Sequence, residues 1–144
     1  WPYEVVSSDV LNHRKSAFQA YATKFFLPAD TLLKDGRAAR KHEGLEELFT
    51  HIEGLSPRTK RATHRMWAYR CSDGPFSISS NEPSAYVMAS YSDVEPASGS
   101  ILERLLELNS CSNVAVVVYR WYGDVKIGGE RWRLISNASS EALK

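Results

Sequence analysis

His64 is the side chain whose type and setting most suggest acid–base chemistry, because the carboxylates of Asp93 and Glu95 follow it along the chain. A histidine close to a carboxylate can act as a general base for a serine or cysteine nucleophile. No serine stands in a G-x-S-x-G elbow, however. Lys15 and Ser16 are neighbours in a predicted strand and therefore point to opposite faces. The sequence favours a structural role for His64 and predicts no catalytic residue; a diverged hydrolase is the least favoured alternative.

The segment from Gly123 to Gly129 has some features of an anion site. It contains Lys126 and leads into a predicted helix, so backbone N–H groups and the helix dipole could hold a phosphate. It is not a P-loop, because the closing Gly-Lys-Ser/Thr is missing, and Asp124 and Glu130 would repel an anion. The favoured interpretation is that the glycines permit a tight turn with positive φ. No cofactor is predicted.

Cys71 and Cys111 lack the close pairing that zinc sites use, so no metal is predicted. Two reduced thiols are favoured over a disulfide. The chain begins with Trp1 and not with Met, as an excised or processed piece of a longer protein would.

Length and composition indicate about one globular domain, with 144 residues, 43% hydrophobic and 24% charged. Eighteen Lys and Arg against seventeen Asp and Glu leave a net charge of +1, so nucleic-acid binding would require a local basic patch. No stretch approaches the roughly 20 apolar residues of a membrane span, and no membrane partner is expected.

Alternating side chains and one continuous apolar run predict four strands. They are 15–25, 63–71, 86–91 and 114–118. An irregular N-terminal extension is predicted over 1–13, and loops over 28–43 and 72–84. The run from Val114 to Val118 is apolar at every position, which is typical of a central strand buried on both faces.

Three helices are predicted between and after these strands. The first carries a buried stripe that includes Leu45 and Ile52, the second buries Leu102 and Leu106, and the last spans 130–143. We expect an α+β two-layer sandwich, mostly a four-stranded sheet with the helices largely on one face. Both stripes should cover the same face of the sheet.

Arginines and aromatic residues alternate in the strands and the last helix. Such groups can bind RNA by stacking and phosphate contacts, or anchor a protein interface. With a net charge of +1, a protein interface is favoured over RNA. The residues of the candidate partner- or anion-binding surface are Lys15, His64, Arg65, Arg120, Tyr122, Lys126, Arg131 and Arg133.

Three segments occur in a fixed order along most of the chain. They read R-K-S-A-F-Q-A at 14–20, A-T-H-R-M-W-A-Y-R at 62–70 and N-V-A-V-V-V-Y-R-W-Y-G at 113–123, the last continuing to Arg131 and Trp132. Together they resemble the Impact family, which includes the bacterial YigZ-like proteins. The R-W-Y motif resembles the eukaryotic branch. S-D-V-E at 92–95 replaces the family's D-D-G-E, and Asp124 replaces its second glycine, as in a divergent member.

The resemblance implies a single Impact-type domain over 1–144, with a fold similar to ribosomal protein S5 domain 2. It also implies a cytoplasmic regulator of translation in the amino-acid starvation response. Its partner would be the large ribosome-associated activator of the kinase that phosphorylates translation initiation factor 2 alpha. Two alternatives stay open: an RNA- or ribosome-binding module, and a subunit of a chromatin or repair complex, for which a nuclear location is possible.

Overall fold

The continuous apolar run lies in the central strand of an antiparallel sheet. The computed structural model describes residues 1–26, 43–72, 86–93, 97–123 and 130–143. Within these residues the strands are β1 (Val5–Ser7), β2 (Leu11–His13), β3 (Ser16–Lys24), β4 (His64–Ser72), β5 (Tyr86–Tyr91) and β6 (Val114–Trp121). Their spatial order is β1-β3-β6-β4-β5, and β2 also pairs with β3.

Helices connect the strands in the predicted order. They are α1 (Glu43–Leu55), a short 3-10 helix η1 (Pro57–Arg61), α2 (Ser98–Leu108) and α3 (Glu130–Ala142). The predicted α+β class is therefore confirmed. The predicted loops 28–43 and 72–84 lie outside the described residues, apart from Glu43 in α1 and Ser72 in β4.

The pairing of β6 confirms its predicted central position. Val116 stands opposite Ala22 of β3 on one side and Ala68 of β4 on the other. All three residues are buried. Because alanine is small, these neighbours leave room for helices to approach the sheet closely above Val116.

The sheet is covered on both faces, so the two helix stripes do not share one. Met66, Val116 and Val118 form a core cluster with Leu102 of α2 and Ile135 of α3. The opposite face, including Tyr69 and Val117, forms a second cluster with the buried residues of α1, which are Leu45, Leu48, Phe49 and Ile52. Two of the three helices share a face, as predicted, but the expectation that α1 joins them there is wrong. A stripe records which side of a helix is buried and not which face of the sheet buries it.

The N-terminal residues 1–13 are not irregular as predicted, since they add two short strands beside β3. Val6 pairs with Ala22, and Asn12 pairs with Ala17. Between β2 and β3 the chain turns at Arg14 and Lys15, whose φ angles of 46° and 68° are both positive. Such a two-residue turn matches the right-handed twist of a hairpin and usually contains glycine. Neither Arg14 nor Lys15 is a residue type that predicts such a turn.

Several expectations concern membrane, metal and thiol chemistry. None of the helices in the described part of the chain is long and apolar enough to cross a bilayer. Among the same residues, no group of three or more His, Cys, Asp or Glu side chains is placed to hold a metal ion. No disulfide joins Cys71 and Cys111, because they lie in the core clusters on opposite faces of the sheet.

Candidate partner-binding surface

The antiparallel pairing brings the predicted surface residues from distant parts of the sequence to one end of the sheet. Here β3 begins, β6 ends and β4 begins, since Ala17 pairs with Trp121 and His64 pairs with Arg120. We call this end the rim. It includes the turn residue Lys15, which is exposed, and Tyr122, which is 39% exposed.

The chain leaving β6 is held on both sides at the rim. The backbone N–H of Tyr122 donates a hydrogen bond of 2.9 Å to Thr63 Oγ1, and the N–H of Thr63 donates one of 2.8 Å to the carbonyl of Arg120. On the other side, a Cβ atom on Gly123 would lie 2.0 Å from the carbonyl oxygen of Lys15. The φ of Gly123 is outside the left-handed region, so close approach and not a positive φ requires this glycine.

Arg120 supports the rim from inside. Its side chain is only 4% exposed, and its guanidinium lies 5.2 Å from the ring centroid of Phe18 and 5.3 Å from that of Tyr122. These are cation–π distances. Because a partner could not reach it, the expectation that Arg120 contributes an exposed contact is wrong. It positions Tyr122, which is the exposed residue of the pair.

His64 and Arg65 project to opposite faces of β4 and do not form one surface. His64 Nδ1 is 3.8 Å from Asp93 Oδ2, and the same oxygen accepts a 2.7 Å hydrogen bond from the backbone N–H of Arg65. The Arg65 guanidinium lies 3.7 Å from the ring centroid of Phe49 and 3.8 Å from Glu53 Oε1. Arg65 therefore attaches α1 to β4, whereas His64 faces the rim.

Asp93→Ala should lower the free energy of unfolding by about 1–2 kcal/mol, because the partly buried Arg65 N–H loses its acceptor and alanine tolerates the φ of 45° less well than aspartate. His64→Ala should change it by less than about 0.5 kcal/mol, since the half-buried His64 makes only a long contact to the same carboxylate. Urea denaturation of the two variants measures both effects. Equal losses for the two would show that the imidazole, and not the backbone amide, is the main partner of Asp93.

The remaining predicted residues are on or before α3. The C-terminal residues of α3 share a groove with Ala22 and Thr23, at the far end of β3, so its first turn points toward the rim. The Arg131 guanidinium lies 4.4 Å from the Trp132 ring centroid, and Arg133 is exposed. Lys126 lies outside the described residues.

The short helix η1 was not among the elements predicted from the sequence. Trp121 Nε1 donates a 2.9 Å hydrogen bond to the carbonyl of Arg58, and the Arg58 guanidinium lies 4.3 Å from the Trp121 ring centroid. Lys60 and Arg61 are exposed beside it. The sequence does show a basic segment here, because three of the five residues Pro57–Arg61 are basic and a strand follows directly.

Ser16, Cys71 and Cys111 all lie away from His64. Ser16 is fully buried and is separated from His64 by the whole of β6, which places them at least about 10 Å apart. Cys71 is buried at the other end of β4, about 20 Å away along the strand. Cys111 lines the groove at the end of the sheet opposite the rim, and burial raises the pKa of its thiol despite the opposing effect of Arg70. A raised pKa lowers the thiolate fraction, so this thiol is a poor nucleophile.

Comparison with known proteins gives consistent matches. A family model described as the Impact N-terminal domain matches residues 36–143. The protein IMPACT homolog of Schizosaccharomyces pombe is 32% identical over 136 residues, which cover 94% of this chain and 40% of the relative. Protein IMPACT of Oryctolagus cuniculus is 28% identical over 148 residues, covering 99% of this chain and 40% of that protein. The chain thus spans about two fifths of the length of these relatives.

Two solved structures share the fold. One, described only as a hypothetical protein, has a TM-score of 0.62 at 17% identity and covers 97% of this chain and 60% of its own. The other is the two-domain translational regulator Yih1, with a TM-score of 0.50 at 26% identity, covering 99% of this chain and 47% of that protein.

Proposed function

This chain belongs to the Impact family, and we propose that it is a non-catalytic regulatory domain that controls translation by binding a protein partner. The likeness to the translational regulator Yih1 carries the proposal, because it covers 99% of this chain. By family resemblance the partner is the large ribosome-associated activator of the initiation factor 2 alpha kinase, met in the cytoplasm during amino-acid starvation. The family's regulators include further segments, and the domain proposed here occupies 1–144.

The rim supports an interaction role better than a catalytic one. Tyr122 presents an exposed aromatic ring, and the exposed Lys15 lies in the turn whose backbone contacts Gly123. Arg120 and Thr63 hold the tyrosine in place from below. Aromatic residues on a rigid support are the usual anchors of protein interfaces, because little conformational entropy is lost when they bind. Ser16, Cys71 and Cys111 lie too far from His64 to serve as its nucleophile.

Direct binding to the purified activator tests the proposal. We expect wild-type protein to form a complex and Lys15→Asn with Tyr122→Ala to weaken it by about tenfold or more, as loss of an interface anchor does. Asparagine removes the charge at position 15 while tolerating the positive φ there. The matched control is Lys24→Asn with Phe26→Ala, which removes an exposed lysine and an exposed aromatic at the other end of β3. The proposal fails if wild-type protein forms no complex while a full-length Impact protein does in the same assay.

RNA or ribosome binding is a second candidate, favoured by the exposed basic residues Lys15, Lys60 and Arg61. Trp121 at the rim weighs against it, because the Arg58 guanidinium lies 4.3 Å from the Trp121 ring centroid. Stacking of bases needs free ring faces. We therefore rank the protein partner first.

A further inference from the structure

Two exposed basic segments flank the end of β6 at the rim. On one side is the turn of Arg14 and Lys15, and on the other is η1 with Lys60 and Arg61. Within the described residues, none of these four side chains forms an ion pair with a carboxylate. They come from parts of the sequence more than forty positions apart, and only the pairing of β3, β6 and β4 brings them to the same end of the sheet.

The strand spacing sets the distance between the turn and the start of β4, which follows η1 in the chain. Neighbouring strands are about 4.8 Å apart, and β6 separates β3 from β4, so the turn and the chain entering β4 are about 10 Å apart at the backbone. Gly123 contacts the backbone of Lys15, and Tyr122 contacts Thr63. The backbone of Tyr122 and Gly123 therefore lies between the turn and the start of β4, and the exposed Tyr122 ring is at the same end of the sheet.

The described carboxylates closest to the rim already have internal partners. Asp93 accepts the backbone N–H of Arg65 and lies beside His64. Glu53 is paired with the Arg65 guanidinium, toward α1. Asp124 follows Gly123 in the sequence and lies outside the described residues. Across the part of the rim that the structure describes, the exposed charges on both sides of Tyr122 are positive.

We propose that the rim binds an acidic, extended segment of a protein partner, with carboxylates on both basic segments and an apolar side chain against Tyr122. This inference rests on the proposed function and adds the chemistry of the partner. An extended chain advances about 3.3 Å per residue, so acidic residues must be at least about three positions apart to reach segments on both sides of β6. Complementary charge steers such a segment to the rim, and contact with the aromatic ring adds affinity. Gly123 allows the turn of Arg14 and Lys15 to lie against the end of β6, because its backbone approaches that of Lys15 closely.

Fluorescence anisotropy with a labelled peptide tests the inference. The probe is a peptide of about ten residues with a pair of glutamates on either side of a central leucine, long enough to span both segments. A matched peptide with glutamine in place of glutamate is the control probe. We expect wild-type protein to bind the glutamate peptide at least about tenfold more tightly than the glutamine peptide, and more weakly as salt is raised.

Charge reversal locates the binding site. Lys60→Glu with Arg61→Glu should weaken binding of the glutamate peptide by about tenfold or more, because two attractive contacts become repulsive. The control pair, Lys24→Glu with Arg104→Glu, makes the same change in net charge at exposed positions away from the rim and should alter the dissociation constant by less than about twofold. Matching thermal melting curves show that both variants are folded.

Three outcomes overturn the inference. They are equal affinity for the two peptides, equal weakening by the two variant pairs, and preferential binding of single-stranded oligouridine of the same length. The proposed function has a separate test, which is whether the protein forms a complex with the activator. If the complex forms and Lys60→Glu with Arg61→Glu does not weaken it, only the acidic-segment inference is refuted. If no complex forms, the proposed function is refuted.

Discussion

Val116→Asp is expected to unfold the protein. Val116 is fully buried in the central strand, between Ala22 and Ala68 and in the same core cluster as Leu102. A carboxylate there has no hydrogen-bonding partner among its neighbours, and burying it would cost about 4 kcal/mol or more, even if it becomes protonated. Small domains have roughly 5–15 kcal/mol of stability in total. Circular dichroism should show no cooperative melting at room temperature and above.

Val6→Asp is the matched control for this substitution. Val6 is 41% exposed on the short edge strand β1, so the same chemical change leaves the carboxylate in water. We expect it to lower the free energy of unfolding by less than about 1 kcal/mol. A cooperatively melting Val116→Asp protein with a stability close to that of Val6→Asp would contradict the central position of β6.

Gly123→Ala is expected to lower the free energy of unfolding by about 3 kcal/mol. The new methyl group would overlap the carbonyl group of Lys15, at 2.0 Å from its oxygen and 2.5 Å from its carbon. Backbone atoms cannot rotate away as the end of a flexible side chain can, so the turn between β2 and β3 must separate from β6. Chemical denaturation measures the loss, which should appear in the midpoint with little change in the slope.

Gly54→Ala should have the opposite sign. A Cβ atom at Gly54 meets no atom within 4 Å, and the residue lies near the end of α1. Alanine restricts the unfolded chain and favours the helix, so we expect a gain of about 0.5 kcal/mol. If both glycine variants lose the same stability, the contact between Gly123 and Lys15 is not what requires glycine at the rim.

The two glycine variants also connect stability with binding. Gly123→Ala should displace Tyr122 and the Lys15 turn together, because both depend on the contact at the end of β6. Gly54→Ala adds a methyl group that meets no atom within 4 Å, so it leaves the contacts of Tyr122 and Lys15 unchanged. Partner binding should therefore weaken in the first variant and remain unchanged in the second.

Local sequence pattern was sufficient to predict the main helices and strands and the central position of β6. The apolar run from Val114 predicted a strand buried on both faces, and the pairing of Val116 and Val118 with β4 confirms it. Period-two alternation located β3, β4 and β5, and helical periodicity located the three helices. The three motif segments also gave the resemblance to the family that the family model matches. Each of these properties depends on neighbours within a few positions.

Tertiary structure decided what depends on residues far apart in sequence. The stripe of α1 showed that one side is buried, but the connection between β3 and β4 decides which face of the sheet receives it. The strands β1 and β2 were missed because the turn at Arg14 and Lys15 adopts positive φ without glycine, and strands of three residues are too short for a periodic signal. Their pairing with β3 exists only in the folded sheet.

The candidate surface was likewise predicted only in part from the sequence. The sequence identified Lys15 and Tyr122 as part of one surface, and the register of β3 and β6 brings both to the rim. It could not show that Arg120 is buried beneath Tyr122 or that Arg65 points to α1. Alternation divides the residues of a strand between two faces, but it does not tell which element covers each face. Nor could the sequence place Arg58 of η1 against Trp121, since that contact joins residues 63 positions apart. Local pattern determines which residues are buried or strand-forming, whereas the packing of distant segments determines which charges share a surface.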